Sequence, residues 1–116
     1  MEDCIFCKVV SGELKSGGLI YENDNFMGVY NVSPEVKGHA VVISKKHFEN
    51  VLDLPSSMGS ELMDCIKKTS VKIMAEHKAE GINLHSNNFK VAGQLINHFH
   101  IHVIPRKEGD CFKPCA

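Results

Sequence analysis

Residues 97–106 read NHFHIHVIPR, with His98, His100 and His102 at strict two-residue spacing in an otherwise apolar run. Neutral imidazole is both a good nucleophile and a good proton carrier near neutrality, because its reference pKa is close to about 6.5. On a β-strand successive side chains point to opposite faces. The three histidines therefore share one face, and Phe99, Ile101 and Val103 share the other. The apolar face belongs to a core and the imidazole face to chemistry. A merely solvated face would draw on Lys, Glu, Thr and Ser instead. A single metal ion held by all three rings is a poor fit. At about 3.3 Å per residue His98 and His102 attach roughly 13 Å apart, whereas zinc–imidazole bonds are near 2 Å. The three rings must therefore divide between at least two tasks. For phosphoryl or nucleotidyl transfer, one ring nitrogen must aim its lone pair at phosphorus while the other is held protonated by an acceptor such as a backbone carbonyl.

The elements that would position these rings follow from local pattern. Residues 19–22 and 26–31 are two strand-like runs joined through Asn23-Asp24-Asn25, whose side chains favour turns, so a hairpin is expected. A Pro and Gly loop precedes a third run, 39–44, rich in β-branched residues. From 57 to 77 the apolar positions Met58, Leu62, Cys65, Ile66, Thr69, Ile73 and Met74 recur at helical spacing, with Gly81 as a stop. INLHSNN and INHFHIHVIP read as two final strands around the loop NFKVAGQ. The expectation is a single α+β domain over residues 1–116, with a five-stranded, mainly antiparallel sheet and one long helix.

Composition narrows the function. A formal charge of −1 gives no basic field for a nucleic-acid backbone, so nucleic acid is not an expected partner. No apolar run approaches the roughly 20 residues of a membrane span. The first ten residues, MEDCIFCKVV, carry acidic side chains where a secretory signal would be basic, so a cytoplasmic protein is expected, with the nucleus also open to it. Five cysteines, Cys4, Cys7, Cys65, Cys111 and Cys115, then read as thiols or metal ligands rather than a disulfide framework. Taken alone, Cys4-x-x-Cys7 is a weak signal, and a redox pair would need a βαβ setting that the pattern lacks.

HFHIHVI resembles the histidine-triad (HIT) signature, in which histidines alternate with apolar residues. CIFCKVVSGE, VYNVSPEVKGHAVVISKKHFENV and AGQLINHFHIHVIPR extend the likeness from Cys4 to Arg106, in order and spacing. The similarity is greatest to the HINT branch, the nucleoside phosphoramidases also called protein kinase C interacting proteins. The resemblance implies a HIT-like fold with a short amino-terminal helix. It also implies a homodimer whose two sheets join into one, a purine nucleoside monophosphate or phosphoramidate as ligand, and hydrolysis of nucleoside 5'-monophosphoramidates.

Carried over by position, His100 matches the nucleophile that forms a nucleotidyl-histidine, and His102 the residue that contacts the phosphate and helps the leaving group. His39 matches a histidine lining the same pocket. Asn31 and Val32 fall on the nucleoside side, and Asn87, Gly93, Gln94 and Leu95 in the loop that meets phosphate and leaving amine. Cys4 and Cys7 with His47 and His98 would complete a Cys2His2 structural zinc site, as in zinc-containing relatives. Two positions depart from the family. Asn31 stands where an Asp usually holds the ribose hydroxyls, and Leu95 stands where a Ser commonly donates to the phosphoramide bridge. The resemblance leaves two alternatives: a dinucleoside polyphosphate hydrolase of the Fhit type, and a weakly catalytic interaction protein. Outside the matched blocks, His77 reads as a solvated side chain or one favoured at the negative helix end. His85, Cys111 and Cys115 receive no role, and the helix and strand methionines read as core filling.

Overall fold

In the computed structural model, residues 4–31 and 38–112 are described; Val32 and Cys115, both named above, lie outside them. Helix α1 (Ile5–Ser11) is followed by strands β1 (Leu19–Glu22), β2 (Phe26–Tyr30) and β3 (Ala40–Ser44), then helix α2 (Gly59–His77) and strands β4 (Gly81–His85) and β5 (His100–Arg106). The strands form one five-stranded sheet in the order β1-β2-β3-β5-β4, and each neighbouring pair is antiparallel. This is the expected α+β architecture. Among the described residues no helix is long and apolar enough to cross a membrane, and Cys4, Cys7, Cys65 and Cys111 are free thiols.

The β1–β2 turn forms because the Asn23 side-chain oxygen accepts from the Phe26 amide at 2.9 Å and from that of Asn25 at 3.2 Å, an Asx-type reversal. Strand β3 is buried along its whole length, since both faces of the sheet are covered. On one side α2 lays Cys65, Ile66 and Ile73 against Phe26, Val42, Phe99 and Val103. On the other, Phe6 and Val9 of α1 pack on Val29, Val41 and Ile43. Gly28 lets α2 come this close, because a Cβ there would meet the Thr69 hydroxyl at 2.1 Å.

Several boundaries differ from the sequence reading for local reasons. The start of the long helix is a 3-10 turn over Ser56–Met58. Its end is made by Lys78 in the left-handed conformation (φ 52°), whose amide donates to the Met74 carbonyl, while Gly81 opens β4. β4 ends at His85, so Ser86, Asn87 and Asn88 belong to the following loop. β5 begins only at His100, because the His98 amide donates to Ile96 at 2.8 Å and the Phe99 amide to Phe48 at 2.6 Å. The first histidine of the triad therefore sits just before the ladder, while the other two sit in it.

Candidate active site and metal-ligand cluster

β5 aims His100 and His102 to the α1 side of the sheet, with ring centroids 5.0 Å apart and planes at 89°. His100 is nearly enclosed, 7% exposed, with the Phe6 ring 5.1 Å away. Its Nδ1 lies 2.7 Å from the His98 carbonyl oxygen. A carbonyl can only accept, so Nδ1 carries the proton and Nε2 keeps its lone pair. Burial lowers the His100 pKa, against the opposing pull of that carbonyl. The ring is thus a neutral imidazole with one nitrogen anchored and the other available to attack.

His102 makes a different contact. Its Nδ1 is 3.0 Å from Nε2 of His39, which stands immediately before β3, two residues from Val41, the ladder partner of His102. Burial, followed by the charges of His100, His39 and His85, pushes the His102 pKa down to about 4. Asn31 is tied to the same segment, its amide donating to the His39 carbonyl at 3.0 Å. Beside these residues lies a cavity of about 180 Å³ lined by Ile5, Phe6, Val9, Val29, Asn31 and His102 among others. An apolar slot with an imidazole and a carboxamide at its rim suits a flat ring system with a polar appendage.

The loop from Asn87 to Leu95 closes the site differently from the sequence expectation. Asn87 donates to the Gly93 carbonyl at 3.3 Å, and Gly93 (φ 95°) lies so close that a Cβ would be 3.1 Å from the Asn87 amide nitrogen. Gln94 is consumed by the loop itself. Its amide nitrogen donates to the carbonyls of Glu49 (2.5 Å) and Ile96 (3.0 Å), its side-chain oxygen accepts from the Phe89 amide (2.8 Å), and its backbone amide donates to Phe89. No donor remains on Gln94 for a phosphate or an amine. Phe89 itself takes φ 76°, a conformation that favours glycine. Leu95 is 93% exposed and borders a second cleft with Ile5, His47 and Ile96.

His98 turns away from this chemistry. It is fully buried, and its Nε2 donates to the Ser44 carbonyl at 2.7 Å, which leaves the Nδ1 lone pair facing the thiols of Cys4 (3.3 Å) and Cys7 (3.6 Å). Nδ1 of His47 lies 3.2 Å from Cys7. Ligand atoms of Cys4, Cys7, His47 and His98 all fall within 4.8 Å of one another. Two sulfurs and two imidazole nitrogens, one of them oriented by a backbone carbonyl behind it, form a donor set suited to a tetrahedral divalent ion. The four ligands come from far apart: Cys4 caps α1, accepting from the Cys7 amide, Cys7 is one turn along, and His47 follows β3. Burial holds His98 down to about 4, and burial together with Cys4 raises the Cys7 thiol. Both effects describe the ligands with no ion between them.

Of the residues singled out from sequence, the structure gathers His39, His100, His102 and Asn31 at one site, Cys4, Cys7, His47 and His98 at an adjoining one, and Asn87 with Gly93 at the loop. His77 stands in the last turn of α2 with its ring edge-on to Tyr30, 5.9 Å away. One residue was missed. His85 lies directly opposite His102 in the β4–β5 ladder, their ring centroids 6.3 Å apart; only the strand register brings it there.

A HIT domain model matches residues 13–109. An uncharacterised HIT-like protein of Methanocaldococcus jannaschii is 38% identical over 92% of this chain and 81% of its own. The adenosine 5'-monophosphoramidase HNT1 of Candida albicans is 33% identical over 90% of this chain and 71% of its own. The crystal structure of a zinc-bound histidine triad family protein from Mycobacterium smegmatis superposes with a TM-score of 0.86 at 32% identity, covering 97% of this chain and 81% of that one. With His100 and His102 on one sheet face, His98 just ahead of them, and the domain match covering residues 13–109, the protein belongs to the HIT family.

Proposed function

We propose that the protein is a nucleotide hydrolase that cleaves nucleoside 5'-monophosphoramidates through a nucleotidyl-histidine at His100. The observation that carries this reading is the single hydrogen bond from His100 Nδ1 to the His98 carbonyl, which leaves Nε2 unprotonated and aimed from a rigid strand. Relatives named as adenosine 5'-monophosphoramidases support the substrate class.

In the proposed sequence His100 Nε2 attacks the α-phosphorus, a nitrogen–phosphorus bond to the protein forms, and the bond to the amine breaks. The amine leaves with a proton taken up from solvent and relayed through the hydrogen-bonded His102–His39 pair, both rings being neutral before and after. Water then cleaves the His100–phosphorus bond, releases the nucleoside monophosphate and returns the proton. The base occupies the apolar slot beneath Phe6 and Val9, and Asn31 meets the ribose by accepting one bond and donating another. Val32, Asn87 and Gly93 complete the binding residues. Zinc at Cys4, Cys7, His47 and His98 would act structurally, tying α1 and the approach to β5 together, and fixing the carbonyl that orients His100. We further read the functional unit as a cytoplasmic homodimer.

A second reading draws on one specific feature. With Gln94 engaged in the loop and Leu95 apolar, neither side chain offers a donor to a departing amine. A phosphoanhydride, whose leaving group needs less protonation, would depend on that loop less. Comparing kcat/KM for an adenosine phosphoramidate and a diadenosine polyphosphate tests the choice. The proposed function predicts the phosphoramidate is turned over faster; preference for the dinucleotide would favour a Fhit-type hydrolase. Absence of turnover on either would point to an interaction protein.

A further inference from the structure

The apolar slot beside His102 has a polar lining residue that the steps above do not use. Of the polar side chains around it, His102 is assigned to the phosphate, while the Tyr30 hydroxyl donates to Glu76 of α2 and lies 3.3 Å from His77. Ser16 and Asn31 remain for the rest of a ligand. An extension of the β1–β2 ladder brings these two together. The Gly17 amide donates to the Tyr30 carbonyl at 2.9 Å, and the Tyr30 amide donates to the Gly18 carbonyl at 2.8 Å. A Cβ at residue 17 would be 2.7 Å from the Asn31 carbonyl oxygen, so glycine is needed for this approach, and it seats Ser16 next to Asn31 at the rim of the slot.

We propose that the Ser16 hydroxyl is a second ribose-binding group, which shares the 2'- and 3'-hydroxyls with Asn31 and sets a preference for ribonucleotides over nucleotides that lack those hydroxyls. The inference rests on the reading of this slot as the nucleoside site.

A ribose diol has two protons to place. A carboxylate has two acceptor oxygens and takes both, whereas a carboxamide has one acceptor oxygen and a nitrogen that only donates. With Asn31 at this position, one sugar hydroxyl gives its proton to Oδ1. The other receives a bond from Nδ2 and still holds a proton that needs an acceptor. Leaving that proton unpaired against an apolar wall weakens binding. Ser16 makes good the shortfall. Its Oγ accepts from the Gly18 amide at 3.1 Å, which holds the side chain in the turn and uses one lone pair. The second lone pair accepts the remaining sugar proton, and the hydroxyl's own proton goes to water, since Ser16 is only half-buried. Serine and asparagine together thus match the acceptor capacity of a carboxylate without its charge.

Calorimetric titration of the full-length chain with AMP and with 2',3'-dideoxy-AMP tests this. Ser16→Ala should weaken AMP about fivefold, through loss of one neutral hydrogen bond, and leave dideoxy-AMP within about twofold of the wild type. Ser16→Thr keeps the hydroxyl and should bind AMP within about twofold of the wild type. In an Asn31→Asp background, where the carboxylate accepts both protons, the effect of Ser16→Ala on AMP should shrink below about twofold. An equal loss on both nucleotides would mean that Ser16 acts through the turn or the base, and that result, or no loss on AMP, would overturn the proposal. The readout needs no turnover, so the two readings fail separately. AMP binding without dependence on Ser16 overturns this inference alone, and the expected pattern in a protein inactive on phosphoramidates would refute the proposed hydrolysis and leave the ribose contact standing. Wild-type protein that binds neither nucleotide would overturn both.

Discussion

His98 and His102 are the two outer members of one triad, and burial depresses both to about 4. They nevertheless end in different chemistry. Behind His98 stands a backbone carbonyl, which fixes the Nε2 proton permanently and turns the Nδ1 lone pair on two thiols. Behind His102 stands His39, another imidazole, which can give or take the proton. A fixed acceptor makes a ligand, and an exchangeable partner makes a proton carrier. His100 lies between them and borrows from each: the carbonyl of His98 orients it, and the ring of His102 accompanies it.

The most severe break in this division is at the centre. His100→Ala should lower turnover of a nucleoside phosphoramidate by about 10³-fold or more while nucleotide binding survives, measured by steady-state kinetics beside calorimetric titration with AMP. At the ligand end, Cys7→Ser or chelation should remove close to one equivalent of zinc per chain and lower the thermal midpoint by roughly 10 °C, as read by metal analysis and calorimetry. Zinc-free protein of unchanged stability would dissolve the contrast between the two ends.

Acid stability sharpens the same contrast. Both His98 and His102 have folded-state pKa values of about 4, below the ordinary imidazole value, so the unfolded chain binds more protons between about pH 6.5 and 4. The metal-free chain should therefore lose a few kcal/mol as pH falls through that window, read from urea midpoints. His98→Gln should flatten part of the slope.

Smaller effects belong to the loop. Phe89→Gly relieves a positive φ and should stabilise the fold by about 1 kcal/mol in urea unfolding. Leu95→Ser restores a hydroxyl donor and should raise the phosphoramidate rate a few-fold, about 1 kcal/mol of transition-state stabilisation, without changing turnover of a dinucleoside polyphosphate.

Much of this site was legible in the sequence because its geometry has period two. His100 and His102 share a face for the same reason that Phe99 and Val103 share the core. The Cys4-x-x-Cys7 spacing was a weak signal by itself, and the family resemblance joined it to His47 and His98. What could not be read depends on contacts between distant segments. The ladder starts at His100 because the Phe99 amide is taken by Phe48, a bond no local pattern encodes. Gln94 resembled a substrate ligand until its donors were traced to Glu49 and Ile96. His85 was unassigned because its place opposite His102 comes from the β4–β5 register, and that register is fixed by the whole sheet.

The central claim is that the middle imidazole is the attacking atom. Rapid-quench labelling with a radiolabelled nucleoside phosphoramidate, followed by mapping of the modified peptide, tests it most directly. The account predicts acid-labile nucleotide attached through nitrogen to His100, formed and lost at rates consistent with turnover. Label at His102 or His39, or steady hydrolysis with no protein-bound nucleotide at any time, would contradict it.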